Sequence, residues 1–212
     1  MDFSINSKFY QNMSKIADMM ILSVLWLLTS LPLITIGASS CALYYCIVKV
    51  IREDRGTVMK DYIHSFKSNF KQSFVVSLLA VLLCVAGTAI GSTAYAIVKS
   101  GEVLTSIYFV YLVALGFGIA WLHYVISYIA RFHASLKTIL KNTLVICLIN
   151  LPASISMMLL FMVVVVVWLF TLPASAMTIL LLPAVYALIS SFLLERIYQK
   201  YIPNTKGDSN DA

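Results

Sequence analysis

The sequence predicts an all-α membrane protein, a polytopic bundle of about six transmembrane helices. Of its 212 residues, 61% are hydrophobic and only 11% are charged, whereas soluble domains carry roughly 25% charged residues. The apolar residues also form runs long enough for a helix of about 20 residues to cross a hydrocarbon core of roughly 30 Å. These two observations indicate a single membrane domain over residues 1–212.

The first apolar stretch, 16–51, is too long for one crossing, since one helix of this length would extend over about 50 Å. Pro32 and Gly37 interrupt it near its middle. Proline lacks a backbone N–H and glycine frees the backbone, so both are typical of a break between helices. We expect a helical hairpin with a short second arm over 39–51. The segment 35–45 should form a tight turn or re-entrant hairpin inside the bundle, because small residues there permit close helix contact.

Four further apolar runs follow, over residues 73–98, 103–129, 143–170 and 174–194. The connections between the first and second of these runs and between the third and fourth are very short, so each joins neighbouring antiparallel helices. Counting both arms of the hairpin gives six spans. If the arm 39–51 does not cross, the alternative is five spans with the N-terminus outside.

The orientation of the bundle follows from the distribution of Lys and Arg, since short loops rich in these residues stay in the cytoplasm. The segments expected there are the polar N-terminus 1–15, the basic segments 52–72 and 130–142, and the tail 195–212. Six spans then place both termini in the cytoplasm and the chain in the cell membrane. The net charge of +6 is therefore interpreted as topology information and not as a sign of a nucleic-acid partner.

Two stretches, 65–74 and 135–144, resemble each other at a constant offset of 70 residues. In each copy, apolar residues four apart form a stripe beside a lysine pair, which is typical of a short interfacial helix that leads into a hairpin. A degenerate third copy around Lys8 and Lys15 would give three repeated hairpins. The alternative is that any basic helix entry has this appearance.

The lysine pairs are candidate contacts for anionic lipid or for a partner protein, since a lysine near an anionic membrane surface contributes about 1 kcal/mol. The residues are Lys67, Lys71, Lys137 and Lys141. Simple positive-inside anchoring is the alternative interpretation.

A separate G-x-x-x-G pattern at Gly87 and Gly91 predicts close helix packing, either within the chain or in a homo-oligomer.

Groups suited to catalysis or ion coupling are missing from the centres of the predicted spans. The charged residues nearest to them stand at span ends: Asp18, Lys49, Glu102 and Glu195. Buried carboxylates usually mark the relays of coupled transporters, and carboxylate pairs perform acid–base chemistry. The histidines His64, His123 and His133 have no partner at metal-ligand spacing. We therefore expect no enzyme activity, no catalytic residue, no cofactor and no metal.

One block of motifs, within about residues 20–75, resembles the YesL-like family of bacterial membrane proteins. Its residues include Trp26, Pro32, Gly37, the pair Tyr44 and Tyr45, and the later Asn69 and Phe70. The rest of the chain matches only in helical pattern and length. Two residues depart from the family's pattern: Cys41 stands where small or polar residues are usual, and Tyr62 where Phe is frequent.

The resemblance implies a domain of unknown function from Gram-positive bacteria, with no established catalytic or ligand residues. Genes of the family often lie beside carbohydrate ABC importers and glycoside-degrading enzymes, which implies an accessory role in sugar uptake. The first hypothesis is therefore a non-enzymatic accessory protein that contacts ABC importer permease subunits and membrane lipid. The alternative is a small facilitator or exporter whose path is lined by Tyr, Ser and Thr from Pro-broken helices. An intramembrane enzyme is the third and least supported hypothesis.

Overall fold

The computed structural model describes residues 3–99, 105–132, 134–171 and 176–201. Within these ranges the chain forms helices and turns, and no strand. The elements are α1 (Phe3–Ser30), a 3-10 turn (Leu33–Thr35), α2 (Ile36–Cys46), a π-helical turn (Ile47–Arg52), α3 (Val58–Lys99), α4 (Thr105–Arg131), α5 (Leu136–Ile149), α6 (Leu151–Thr171) and α7 (Ala176–Tyr201).

Six helical segments among the described residues are long and apolar enough to cross a membrane. They are Tyr10–Ser30, Leu33–Arg52, Val58–Thr93, Val110–Arg131, Leu151–Phe170 and Leu180–Tyr201. The predicted class, an all-α polytopic membrane bundle, is therefore confirmed. The second segment joins the 3-10 turn, α2 and the π-helical turn into one element of 20 residues, so the short arm of the hairpin is long enough to be a sixth span.

The hairpin between α1 and α2 turns at Pro32, as the sequence predicted. Proline has φ −74° and ψ 120° here, an extended conformation that cannot continue α1. Thr35 closes the turn, because its hydroxyl donates to the carbonyl oxygens of Thr29 at 2.5 Å and of Pro32 at 2.7 Å. The second arm begins at Ile36, three residues earlier than expected.

Helix α2 lies in the interior of the bundle, with eight of its eleven residues buried. It packs most extensively on α3, and small side chains make this approach possible. Gly37 marks the closest point: its backbone N–H donates to the Ser77 hydroxyl at 2.8 Å. A Cβ at position 37 would lie 2.5 Å from the carbonyl oxygen of Ser73. Only glycine fits this position without moving a backbone.

The two resembling copies occur in different helical contexts. The first copy, 65–74, is not a separate interfacial helix but part of α3, which runs unbroken for 42 residues. The second copy begins α5, where Ser135 caps the helix by accepting a hydrogen bond from the Thr138 N–H. The predicted apolar run 143–170 is divided between α5 and α6 at Asn150. Pro152, which can begin a helix but not continue one, explains this division.

Both copies nevertheless bury the same face of their helix. The buried residues are Asn69, Ser73 and Ser77 in α3, and Ile139, Thr143 and Cys147 in α5. Each pair of positions is separated by 70 residues. The lysines of each copy lie on the opposite, exposed face. The shared sequence pattern therefore reflects that both helices turn the same set of positions towards the interior of the bundle.

Candidate functional site

Side-chain contacts gather the basic segments at one end of the bundle, which we call the basic end. Lys15 of α1 pairs with Asp54 of the loop before α3 at 2.8 Å. The Gln72 side-chain amide of α3 donates to the Ala134 carbonyl oxygen, just before α5, at 3.0 Å. The segments 52–72 and 130–142, which the sequence predicted to share one side of the membrane, are thus in direct contact.

The π-helical turn directs two cations of the basic end to different helices. Lys49 faces α3, where its ammonium group lies 2.8 Å from the Asp61 carboxylate. Arg52 faces α7, donates to the Ser191 carbonyl oxygen at 3.1 Å and stacks 4.4 Å from the centre of the Phe192 ring. π-helical turns are rare and occur frequently at functional sites. This turn therefore marks the basic end as a candidate site.

The Lys49–Asp61 pair is held in place by further hydrogen bonds. Lys49 also donates to the Tyr45 hydroxyl at 3.1 Å, and the second Asp61 oxygen accepts from the Thr57 N–H at 2.7 Å. Asp61 lies in the first turn of α3, where the helix dipole favours a negative charge. The side chain of Asp61 is only 13% exposed, so the pair connects the π-helical turn to the beginning of α3 with a fixed geometry.

A second ion pair joins three helices. The Glu195 residue of α7 is 4% exposed; one of its carboxylate oxygens pairs with Arg131 of α4, and the other accepts from the Tyr44 hydroxyl of α2 at 3.2 Å. A buried carboxylate is tolerated when it is paired and hydrogen-bonded, and loss of its partner is strongly destabilising. The sequence placed Glu195 at a span end but gave no indication of its partners.

These groups surround a cavity of about 260 Å³, which we call the basic-end pocket. Its polar lining comprises Tyr44, Tyr45, Lys49, Glu53, Arg55, Arg131 and Glu195. The Lys49 and Arg131 side chains are each 34% exposed, and both line the cavity. The sequence did not indicate Arg131 and Arg55 as site residues, whereas Lys49 and Glu195 stood out as ionisable groups at the ends of apolar runs.

The four predicted contact lysines lie on the surface of the same end. Lys67, Lys71, Lys137 and Lys141 are all exposed, and in the part of the chain that the structure describes none of them forms an ion pair. Large apolar side chains stand exposed beside them, with Phe70 at 36%, Phe74 at 41% and Leu144 at 43%. The Gln72–Ala134 hydrogen bond connects α3 to the segment that leads into α5.

The remaining motif residues mostly connect the first three helices. The Trp26 indole donates to the Ser40 hydroxyl at 3.2 Å, which joins α1 to α2. Buried Asn69 donates to the Ser65 hydroxyl at 3.3 Å within α3. Pro32 is exposed at the hairpin turn. The motif therefore does not form one site, since only Tyr44 and Tyr45 contribute to the basic-end pocket.

The glycines of the G-x-x-x-G pattern face α4 of the same chain. A Cβ added to Gly87 would lie 2.8 Å from the Leu115 side chain, and one added to Gly91 would lie 3.3 Å from the Tyr111 hydroxyl. That hydroxyl donates to the Gly87 carbonyl oxygen. This face of α3 is therefore occupied by an intrachain contact.

Polar groups within the spans are mostly satisfied locally. The Ser127 and Ser190 hydroxyls donate to carbonyl oxygens of the preceding turn at 3.0 and 2.9 Å, and His123 Nδ1 lies 2.8 Å from the Ile119 carbonyl oxygen. Over the described ranges, Tyr186 Oη is the only buried side-chain N or O atom without a hydrogen-bond partner. The same residues contain no group of three or more His, Cys, Asp or Glu that could hold a metal ion.

The six apolar helices and their charged end define a multi-pass α-helical membrane protein. The family model described as "Protein of unknown function, DUF624" matches residues 19–89, about a third of the chain. A search of curated proteins found no match, and a search of solved structures also found none. The matched region contains Lys49 and Asp61 but not Arg131 and Glu195. The resemblance to the YesL-like family stays a prediction.

Proposed function

We propose that this protein is a non-enzymatic accessory subunit of an ABC-type carbohydrate uptake system, which uses its basic end to dock the other components. The observation that supports a docking role is the surface formed by Lys67, Lys71, Lys137 and Lys141. These four lysines are exposed, have no ion-pair partner among the described residues and lie on α3 and on α5, whose preceding residue Ala134 accepts a hydrogen bond from Gln72 of α3. The carbohydrate part of the proposal comes from the resemblance to the YesL-like family.

The interior of the bundle supports a docking role over a chemical one. The described charged side chains of the spans lie towards the basic end, and interior serines such as Ser127 and Ser190 donate to carbonyl oxygens of their own helices. Coupled transport and catalysis both require polar groups that are free to bind an ion or a substrate. A protein that contacts its partners through its surface does not require such groups.

Exchanging all four lysines for arginine tests the proposal, since this change keeps the charge. A planar guanidinium presents its donors in a different geometry from a compact ammonium group, so docking with a fixed geometry should weaken. We expect lower sugar uptake and less recovery of the importer permease in a pull-down, with normal membrane insertion. The matched control exchanges Lys60 and Lys200 for arginine. Both are exposed lysines outside the two copies, and this variant should match the wild type in sugar uptake and in the pull-down.

Intact uptake and an intact pull-down in the four-lysine variant would leave only positive-inside anchoring as the role of these residues. Deletion of the protein provides the broader test. If the deletion has no uptake defect and the protein does not co-purify with the permease in mild detergent, the accessory function is refuted.

A small facilitator or exporter is the second candidate, and a proline inside a helix favours it. Pro183 lies within α7 without ending it, and the next residue, Ala184, donates its N–H to the Ser23 hydroxyl of α1 at 3.2 Å. Pro-interrupted segments often mark substrate sites in transporters, and the unpartnered Tyr186 hydroxyl lies one turn from Pro183. Sugar flux into proteoliposomes containing only this protein would support the second candidate over the first.

A further inference from the structure

We propose that the basic-end pocket binds a phosphate group, namely that of an anionic phospholipid headgroup. This site is separate from the lysine surface, and the inference does not depend on the proposed function.

The arrangement of charges around the pocket carries the inference. Lys49 and Arg131 have side chains that are each 34% exposed, whereas their carboxylate partners Asp61 and Glu195 are only 13% and 6% exposed. Asp61 is not part of the cavity wall and lies behind Lys49, whereas Glu195 lines the cavity beside Arg131. The two carboxylates hold the cations in position, and both cations line the cavity.

The two cations retain donors for a ligand after their internal contacts are made. A lysine ammonium has three N–H donors and an arginine guanidinium has five. Lys49 uses two of its donors, for Asp61 and Tyr45. Arg131 contacts Glu195 through one terminal nitrogen, so the other nitrogens of its planar group remain able to bind two oxygens of one phosphate.

The rim of the pocket adds a third cation. Arg55 is 66% exposed, and its contact with Glu53 is long, at 3.6 Å. An exposed pair of this kind contributes only about 0–1 kcal/mol, so a phosphate can replace the carboxylate at little cost. The polar lining therefore has three cations against the two carboxylates of Glu53 and Glu195.

The position of the pocket favours a lipid as the source of the phosphate. It lies where α2, α4 and α7 approach the charged end of the bundle, which is the level of the headgroups in a membrane. Basic pockets between transmembrane helices bind anionic headgroups. The pocket's apolar walls at Val48 and Ala130 suit the glycerol part of such a molecule, and a cavity of about 260 Å³ admits a phosphate ester.

Paired substitutions that leave the net charge unchanged test this site. The variants are Lys49→Met with Asp61→Asn, and Arg131→Met with Glu195→Gln. Each removes one positive and one negative charge. The full chain is purified in detergent, and native mass spectrometry measures binding of short-chain phosphatidylglycerol, with phosphatidylcholine as the uncharged comparison. We expect about tenfold weaker phosphatidylglycerol binding in each variant, the effect of losing one charge-assisted hydrogen bond.

The control is the double variant Lys60→Gln with Lys200→Gln, which lowers the net charge by two outside the pocket. Its affinity for phosphatidylglycerol should stay within about twofold of that of the wild type, because salt screens the attraction between the lipid and exposed charges outside the pocket. If this control loses as much affinity as the pocket variants, the binding is diffuse attraction and the proposal is overturned. If a paired variant with a buried carboxylate fails to fold, Arg55→Gln replaces it in the test. Arg55 is mostly exposed, so its substitution should leave folding intact. Unchanged binding in Arg55→Gln would then count against the site.

Soluble phosphates distinguish the two possible sources. Inorganic phosphate and glycerol phosphate are added to the wild-type protein before the lipid. If either soluble anion displaces phosphatidylglycerol at equal concentration, the site is a free-phosphate site and its assignment to a lipid is overturned. If the soluble anions displace phosphatidylglycerol only at a large excess, the result supports the assignment of the site to a lipid headgroup. Equal binding of phosphatidylcholine and phosphatidylglycerol would also refute a site that selects an anionic headgroup.

Discussion

Replacing Gly37 by alanine should destabilise the bundle, although alanine is the better helix former. The added Cβ would lie 2.5 Å from the Ser73 carbonyl oxygen and 2.6 Å from the Ser77 hydroxyl oxygen. Real Cβ atoms essentially never approach another atom closer than 3.0 Å. Because Ser73 contributes backbone, which cannot rotate away as a side chain can, α2 and α3 must separate by at least about 0.5 Å.

The expected magnitude follows from two opposing effects. Alanine in place of glycine stabilises a helix interior by about 1 kcal/mol. Overpacking of a close contact costs about 1–3 kcal/mol, and separation of the helices also weakens the hydrogen bond from the Gly37 N–H to Ser77, worth about 1 kcal/mol. The net expectation is a loss of about 1–3 kcal/mol.

Gly118→Ala is the matched control, since it makes the same substitution within another helix of the bundle. The nearest atom to an added Cβ there is the Leu83 side chain, at an ordinary distance of 3.9 Å. Thermal unfolding in detergent, followed by tryptophan fluorescence and by the fraction of monodisperse protein, compares both variants with the wild type. Gly118→Ala should match or exceed the wild type, and Gly37→Ala should unfold at a lower temperature.

A third variant identifies the atom responsible. Ser77→Ala combined with Gly37→Ala removes the hydroxyl contact but leaves the Ser73 carbonyl in place, so the double variant should remain less stable than the wild type. If Gly37→Ala unfolds at the same temperature as Gly118→Ala, the close approach of α2 and α3 is refuted. The segment 35–45 would then face lipid.

Two further predictions concern topology and one hydrogen bond. In a cysteine-free background, single cysteines at Lys60 and Lys137 should be protected from an impermeant external reagent, whereas a cysteine at position 100, outside the described residues, should react. External labelling at Lys60 would overturn the cytoplasmic assignment of the basic end. Tyr62→Phe should cost about 1 kcal/mol, because the buried Tyr62 hydroxyl hydrogen-bonds Thr29 at 2.7 Å. An unchanged unfolding temperature in detergent would contradict this expectation.

The sequence was sufficient for features that depend on local composition. The apolar runs predicted the helices, and Pro32 predicted the first turn because a missing N–H acts on its own neighbours. The predicted run 143–170 was not divided at Asn150, although Pro152 was visible. An apolar composition does not distinguish one long helix from two helices that meet at an angle, since both present the same residues to lipid.

The candidate site was less predictable because it depends on contacts between distant parts of the chain. Arg131 and Glu195 are 64 residues apart in sequence, and no local pattern shows that they meet. The same holds for Lys49 and Asp61, whose pairing depends on the π-helical turn. The four lysines are exposed, a position that the sequence can indicate because positive charges cluster at membrane boundaries without needing a specific partner; their role as contacts stays a prediction.

Helix α3 is unbroken over its whole length and links distant parts of the molecule. Its 42 residues extend over about 63 Å, twice the thickness of the hydrocarbon core, which is roughly 30 Å. Close contact with Gly37 fixes the helix near Ser73 and Ser77, between an arm that carries the lysines and an arm that packs on α4 through Gly87. One continuous helix therefore carries both part of the lysine surface and the contact with α4. A tilt of the lysine arm therefore also displaces the arm that packs on α4, because the same 42-residue helix carries both.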